Sequence, residues 1–371
     1  MISDLEKTVI ESNLKQYVYS IEWLNPQEET VYEAIVDVIS GSASFDCTNN
    51  NRRSFTLALR NLDGSYTPAV DSKMWLTNKI KINCGYKYNG INYLYPQGTY
   101  ILGNPSLLNS PTKKEVSLQN LDKWTLLDGT IGGKLKNQYV VTLGSQIDNV
   151  IKSIIVDELG MTNYIIDTCT VTTPYTITKS AGDTYANLII ELCQMASFTA
   201  YFDEMGGNFR FRKAYLPADY MAISPTYEYI VGGNFLDSTR ELKWNDIKNS
   251  VVVWGMTESG TQYTGIAQDT TGSELSIDKI GERVEVISDE NIYNSTLCTE
   301  RANYELKNLI MCAESVTLNV IPNFSHKVED VITLTDEITG CSGNYVIQQI
   351  SYNLGFDAKM TLTLWKIRSW S

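Results

Sequence analysis

Apolar side chains at every second position recur in the first and last thirds of this chain, and that period constrains the fold more than any other feature. Tyr17, Tyr19, Ile21 and Trp23 alternate with polar residues, as do Phe55, Leu57 and Leu59, then Ile80, Ile82 and Cys84, then Val116 and Leu118. Near the other end Val316, Leu318 and Val320 alternate. So do Met360, Leu362 and Leu364, with Thr361, Thr363 and Trp365 on the opposite side. A period of two places one face of a strand in a core and the other outside. Strands are also expected at 247–256, 331–335 and 345–354. Asn89-Gly90 separates Tyr86-Lys87-Tyr88 from Ile91-Asn92-Tyr93, which predicts a hairpin, because both central residues of its turn need positive φ. Gly355-Phe356-Asp357 predicts another, closing the chain.

Between these regions the period lengthens. Ile147, Val150, Ile151, Ile154, Ile155 and Leu159 follow a 3.6-residue repeat, with Ser145 as the expected cap and Gly160 as the stop. A second helix is expected from Asp183 or Thr184, with Leu188, Ile189, Leu192, Met195 and Ala196 on one face. Gly206-Gly207 then turns into a strand at Phe209 and Phe211. A third helix over 295–313 carries Cys298, Ala302, Leu306, Leu309 and Ala313 in one stripe. A short one follows the capping pattern Ser3-Asp4-Leu5-Glu6 and runs to about Asn13. The pattern predicts a β-rich α+β chain in three parts: an N-terminal helix and β-module over 1–122, a mixed insertion with two helices over 123–240, and a second β-module with one helix over 241–371.

Chemistry is sparse. The single histidine, His326, lies in the polar connection Pro322-Asn323-Phe324-Ser325-His326-Lys327 and is expected to be solvated. With one histidine, neither a His-rich zinc motif nor a Ser-His-Asp arrangement finds support. Adjacent acidic pairs such as Glu28-Glu29, Asp289-Glu290 and Glu329-Asp330 are expected at solvated loop or strand ends. Gly132-Gly133 and Gly232-Gly233 are expected turns, not phosphate cradles. Seven cysteines without paired spacing predict separate reduced thiols. The expectation is no catalytic residue, no cofactor site and no metal site. A net charge of −13 argues against a protein that wraps nucleic acid. The basic doublet Arg52-Arg53 suits a salt bridge or a subunit contact. No apolar run is long enough to span a membrane, and the N-terminus lacks the apolar segment of a secretory signal.

The order of features resembles phage baseplate hub proteins, the tail-hub family that includes late-control-type proteins. Asn249-Ser250-Val251-Val252-Val253-Trp254-Gly255 is similar to that family's Asn-x-Val-x-Val-x-Gly strand. The helix at 295–313 follows it. Pro322 then precedes Val328-Glu329-Asp330-Val331, where the family reads Gly-Asp-x-Val, so Glu329 stands in place of a glycine. Gly343-Asn344-Tyr345-Val346-Ile347 is like the family's Gly-x-Tyr-x-Val strand. Asn51-Arg52-Arg53, Pro96-Gln97-Gly98-Thr99-Tyr100 and Ser180-Ala181-Gly182-Asp183-Thr184 extend the likeness to the N-terminal module and the insertion.

The resemblance implies two tube-like antiparallel β-barrel modules, pseudo-equivalent to each other, and a mixed α/β insertion. It also implies a homotrimeric structural hub, not an enzyme. Such a ring joins a sixfold tail tube or distal tail protein to a threefold central spike protein, contacts a tape measure protein, and surrounds a channel through which DNA passes without specific binding. Its place is the virion tail or baseplate, assembled in the host cytoplasm, with no membrane insertion. Much of the acidic excess is then expected to face the channel. Other readings are the hub of a contractile bacteriocin or injection device, the base module of a tail-associated cell-wall hydrolase, and a receptor-binding protein. The last strand ends near Ile367 and the sequence at Ser371, which leaves no expected room for a C-terminal hydrolase.

Overall fold

The structure is a computed structural model. It describes every residue except 1–3, 13, 232, 257–259, 261, 271, 290–291, 293, 312, 356–357 and 369–371. Fourteen strands form one sheet. Its first half comes from the N-terminal module. Gln16–Leu24 pairs with Thr30–Ile35 and Lys79–Tyr88, and Lys79–Tyr88 pairs with Ile91–Leu102 through the Asn89-Gly90 turn. Asn89 and Gly90 have φ of 49° and 81°, as that turn requires. Lys114–Asp122, Arg53–Arg60, Val38–Asp46 and the short Ser106–Asn109 complete this half.

Val38–Asp46 then pairs directly with Cys341–Leu354 of the C-terminal module, Ser44 lying opposite Ser351. From there the sheet runs through Met360–Lys366 and Glu314–Val320 to Phe235–Leu242. The two modules are therefore one hydrogen-bonded sheet. They also share one core, in which Trp23, Phe55 and Tyr86 belong to the same cluster as Phe324, Tyr345 and Leu362. Each such side chain contributes about 1.5–3 kcal/mol on burial. The sheet is antiparallel except where Tyr227–Ile230 runs parallel to Val331–Asp336. The strand Phe235–Leu242 straddles position 240 and belongs wholly to this sheet.

The segment after Asp122 builds a second core. Trp124, Ile151, Ile155, Leu188, Leu192, Phe202 and Phe211 cluster apart from the sheet core. Thr184 caps the helix Tyr185–Ala196 by accepting from the Asn187 amide at 3.2 Å, as the sequence suggests. Ser145 does not cap its helix. Gln146 is the N-cap residue, and the Ser145 amide instead donates to Thr142 and to Thr173 Oγ1. The helix Ile147–Ser153 continues as a π-turn, Ile154–Glu158, before Gly160 turns left-handed.

Residues 250–311 leave the large sheet. Ser250–Met256 pairs with Gln262–Gln268 and, in parallel, with Val284–Asp289. The helix Ser295–Met311 lies on this small sheet, packing Cys298, Ala302 and Leu306 against Val251 and Val253. A Cβ on Gly265 would stand 2.2 Å from the Cys298 carbonyl carbon and the Thr299 nitrogen, so helix and strand touch backbone to backbone there. The hairpin residues 356–357 and the capping residue Ser3 lie outside the described residues, while the N-terminal helix spans Asp4–Glu11.

Candidate functional site

The most chemically loaded place in the molecule is the seam where the insertion meets both β-modules. Arg52 and Arg53, at the start of a strand, point to different partners. Arg52 Nη1 donates to Glu329 Oε2 at 2.8 Å, and Arg212 Nη2 donates to the same oxygen at 2.7 Å. The Arg52 guanidinium also lies 3.6 Å from the centre of the Tyr201 ring. Arg53 donates to the Phe202 carbonyl and pairs with Glu204 at 2.7 Å, and Lys327 reaches Glu204 at 3.0 Å. A second knot forms around Glu28, which pairs with Lys123 and with Lys79 at 2.5 Å and accepts from Asn163 at 2.6 Å. Lys123 also donates to the Gly207 carbonyl at 2.7 Å.

These groups are held in their charged forms by each other. Burial alone would raise the carboxyls of Glu329, Glu204 and Glu28. The guanidinium and ammonium groups beside them outweigh that and hold all three below the ordinary carboxylate range. Asp122 and Asp330 lack enough compensation, and burial pushes both up to about 6. The seam joins two apolar cores through paired charge, which fixes orientation more than it adds net stability.

Glu329 occupies a left-handed backbone position with φ of 72°. This is the position at which the resembled family carries glycine. A side chain in this conformation costs about 1 kcal/mol. The carboxylate gained there is the one that receives Arg52 and Arg212.

Several sequence expectations change here. Glu28 and Glu329 are not at solvated ends but sit inside ion-pair knots, because their partners arrive from far along the chain. Asp289 ends a strand and Glu290 lies outside the described residues. His326 is not solvated but only 6% exposed. Its loop plugs the space between the modules: Tyr86 Oη donates to the Pro322 carbonyl at 2.6 Å, and Gln97 donates to the Phe324 carbonyl at 3.1 Å. His326 Nε2 lies 2.7 Å from Tyr229 Oη. Burial drives its pKa down to about 3, so it is neutral. Arg52-Arg53 forms the salt bridges that its residues suggest. Gly133 turns left-handed against the Leu127 backbone, and Gly232 lies outside the described residues. Six cysteines are free thiols, five of them buried, and Cys312 lies outside the described residues.

A cleft of about 390 Å³ opens where the seam meets the helix Ser295–Met311, lined among others by Cys47, Arg52, Tyr220, Arg301 and Glu329. Its charges are already paired: Arg52 with Glu329, and Arg301 with Glu305 at 2.8 Å. Burial and the nearby Glu329 push the Cys47 thiol up to about 12, and the lining holds no histidine to activate it. Among the described residues no group of three or more His, Cys, Asp or Glu side chains could hold a metal ion.

Several strands of the large sheet present open edges. Thr30–Ile35 exposes Val31, Tyr32 and Ile35. Phe235–Leu242 pairs on one side only and exposes Leu236 and Leu242. The four-residue strand Ser106–Asn109, paired only to Lys114–Asp122, exposes Leu107 and Leu108. Unpaired backbone flanked by apolar side chains is a template for strand addition.

No protein-family profile and no curated protein sequence matches this chain. Its fold does match solved structures. The 43 kDa tail protein of prophage MuSo2 from Shewanella oneidensis superposes with a TM-score of 0.63 at 14% identity, covering 94% of this chain and 98% of that one. Prophage tail protein gp18 from Listeria monocytogenes EGD-e gives 0.57 at 16% identity, over 94% and 95%. A chain of the Francisella PdpA–VgrG complex gives 0.57 at 9% identity, over 97% of this chain and 60% of that one. The chain shares its β-rich fold with solved phage tail proteins along nearly its whole length.

Proposed function

We propose that this protein is a structural hub of a phage-type tail or baseplate and that it carries out no catalysis. The observation that carries the reading is the shared fold with a prophage tail protein over 94% of one chain and 98% of the other. In this reading three copies form a ring, with each chain supplying two pseudo-equivalent β-modules, so that one side matches a sixfold tail tube or distal tail protein and the other a threefold spike. The division into 1–122, 123–240 and 241–371 belongs to the same proposal, as do contact with a tape measure protein, passage of DNA through the ring, residence in the virion and assembly in the host cytoplasm. The open edges favour a ring. Ser106–Asn109 of one copy beside Phe235–Leu242 of the next gives a head-to-tail contact that closes by rotation and covers both leucine pairs. The ion-pair seam suits a load-bearing part, because it holds the insertion in one orientation.

The test is native mass together with top-view electron micrographs of the purified protein, alone and with the tail proteins encoded beside it. A threefold ring with a central hole is expected. A compact monomer in both preparations overturns the reading. The likeness to the VgrG complex favours one alternative, the hub of a contractile bacteriocin or injection device, and the neighbouring genes distinguish it. A hydrolase base is tested on peptidoglycan, where no clearing is expected.

A further inference from the structure

The insertion carries a cleft of about 430 Å³ that shares no lining residue with the one at the seam. One wall is the loop Gly133–Tyr139. The other is Glu158 and Leu159, at the end of the π-turn, with Tyr185 at the start of its helix. Backbone hydrogen bonds tie the loop to that helix. The Tyr185 amide donates to the Gly133 carbonyl at 2.9 Å, and the Leu135 amide donates to the Asp183 carbonyl at 2.8 Å. Gly133, at φ of 83°, comes so close to the preceding turn that a Cβ on it would stand 2.4 Å from the Leu127 carbonyl carbon. Leu135 is buried, while Lys134, Lys136, Asn137 and Gln138 stay exposed. A turn anchored through its backbone thus presents four polar side chains to the cleft.

Two tyrosines form an aromatic corner beside them. Tyr139 opens the strand Tyr139–Val141, which pairs with Ile177–Lys179. Its ring meets that of Tyr185 edge to face, with centroids 6.0 Å apart and planes at 82°, and both rings are half-buried. Tyr185 Oη donates to Glu158 Oε2 at 3.0 Å, which leaves Glu158 Oε1 without a partner among the described residues. The ammonium groups of Lys134 and Lys136 have no partner there either. The stem of Lys134 lies against Gly129, where a Cβ would meet Lys134 Cε at 3.1 Å.

We propose that this cleft binds a saccharide, a pyranose unit that carries both an acetamido group and a carboxylate. All its residues lie between 133 and 185 of one chain, so the inference stands apart from the ring reading. Three features select this ligand. The volume falls within the about 300–1,000 Å³ of small-molecule sites. The C–H face of a sugar ring is apolar and packs on an aromatic side chain, while its hydroxyl and acetamido groups meet the Asn137 and Gln138 amides. A carboxylate answers Lys134 and Lys136 through charge-assisted hydrogen bonds.

Single-stranded nucleic acid is the competing ligand for lysines beside tyrosines. Two observations go against it. Rings at 82° leave no slot between parallel faces for a flat base. Glu158 Oε1 calls for a proton donor, which a sugar hydroxyl supplies and an ionised phosphate does not.

The experiment is saturation-transfer NMR on the full-length protein, with N-acetylmuramic acid, N-acetylneuraminic acid and the neutral N-acetylglucosamine as probes. Both acidic sugars should receive saturation at their ring and acetyl protons, and their binding should weaken as salt rises. The neutral sugar should bind about tenfold more weakly. Tighter binding of N-acetylmuramic acid points to the glycan strand of a cell wall, and tighter binding of N-acetylneuraminic acid to an acidic surface polysaccharide.

Lys134→Gln with Lys136→Gln changes exposed positions only and leaves the fold intact. This variant should bind the acidic sugars no better than the neutral one. Tyr185→Leu, checked for folding by its melting temperature, should lose all three. No saturation of either acidic sugar overturns the proposal and leaves the hub reading as it stands. So does binding that these variants leave unchanged, which places the sugar elsewhere. Neutral sugar bound as tightly as the acidic ones, or both acidic sugars displaced by a short single-stranded oligonucleotide, overturns it as well.

Discussion

Arg52 and Glu329 stand 277 positions apart and meet at 2.8 Å inside the protein, with Arg212 of the insertion on the same carboxylate oxygen. One side chain therefore ties the N-terminal module, the insertion and the C-terminal module together. Its backbone, at φ of 72°, is in a conformation that favours glycine.

Glu329→Gln keeps the shape and removes the charge, leaving two buried guanidinium groups without a counter-ion. A loss of roughly 3–5 kcal/mol is expected. Glu329→Gly relieves about 1 kcal/mol of backbone strain yet still strands both arginines, so it too is less stable than the parent. Urea unfolding checks that each variant is less stable than the parent. A glycine variant as stable as the parent would show that the carboxylate does nothing for the fold.

The pH dependence has opposing parts. His326 is neutral in the folded state down to a pKa of about 3, whereas an unfolded histidine protonates near 6.5. Below about pH 6.5 the unfolded chain takes up a proton that the folded one refuses, so this group removes stability as pH falls. Asp122 and Asp330, raised to about 6, act the other way, since the folded state protonates first and gains stability as pH falls from about 6 to about 4. Glu28, Glu204 and Glu329 contribute stability above about pH 4.3 that is lost as pH drops through their lowered values. His326→Gln removes the histidine part alone. Between pH 6.5 and 4 the variant should gain on the parent by about 1.4 kcal/mol per pH unit, measured by denaturant titration at each pH. A constant difference across that range would mean that His326 protonates freely when folded.

Gly265 lets the helix Ser295–Met311 touch its sheet through backbone atoms. Gly265→Ala forces the two apart and should cost about 1–3 kcal/mol. Amide hydrogen exchange should quicken in that helix and not in the insertion helices Ile147–Ser153 and Tyr185–Ala196, whose core is separate. Equal quickening in both would contradict separate cores.

Leu108→Lys and Leu236→Lys each place a charge on one open edge of the large sheet. Both positions are exposed, so melting temperature should stay within about 2 °C of the parent. Ring formation should fall sharply for each variant in native mass spectra. Full assembly of both would remove these edges from the copy-to-copy contact.

Local pattern was enough for the elements. The alternation of Tyr17, Tyr19, Ile21 and Trp23, the Asn89-Gly90 turn and the Thr184 cap each act within a few residues, and each is found where the sequence places it. The order of such elements also pointed to the tail-hub fold. What stayed illegible depends on partners delivered from elsewhere. Glu28 reads as one more surface carboxylate until Lys79, Lys123 and Asn163 surround it. His326 reads as a polar loop residue until Tyr229 and the Phe324 plug enclose it. The direct pairing of Ser44 with Ser351, which makes two modules one sheet, has no local signature, because strand period says which face is buried and not which strand lies alongside. The sequence by itself determined the strands, the helices and which side of each faces a core, since these follow from short-range periodicity. Only the tertiary structure decided which charges are buried and which edges remain open, since both depend on chain segments hundreds of residues apart coming together.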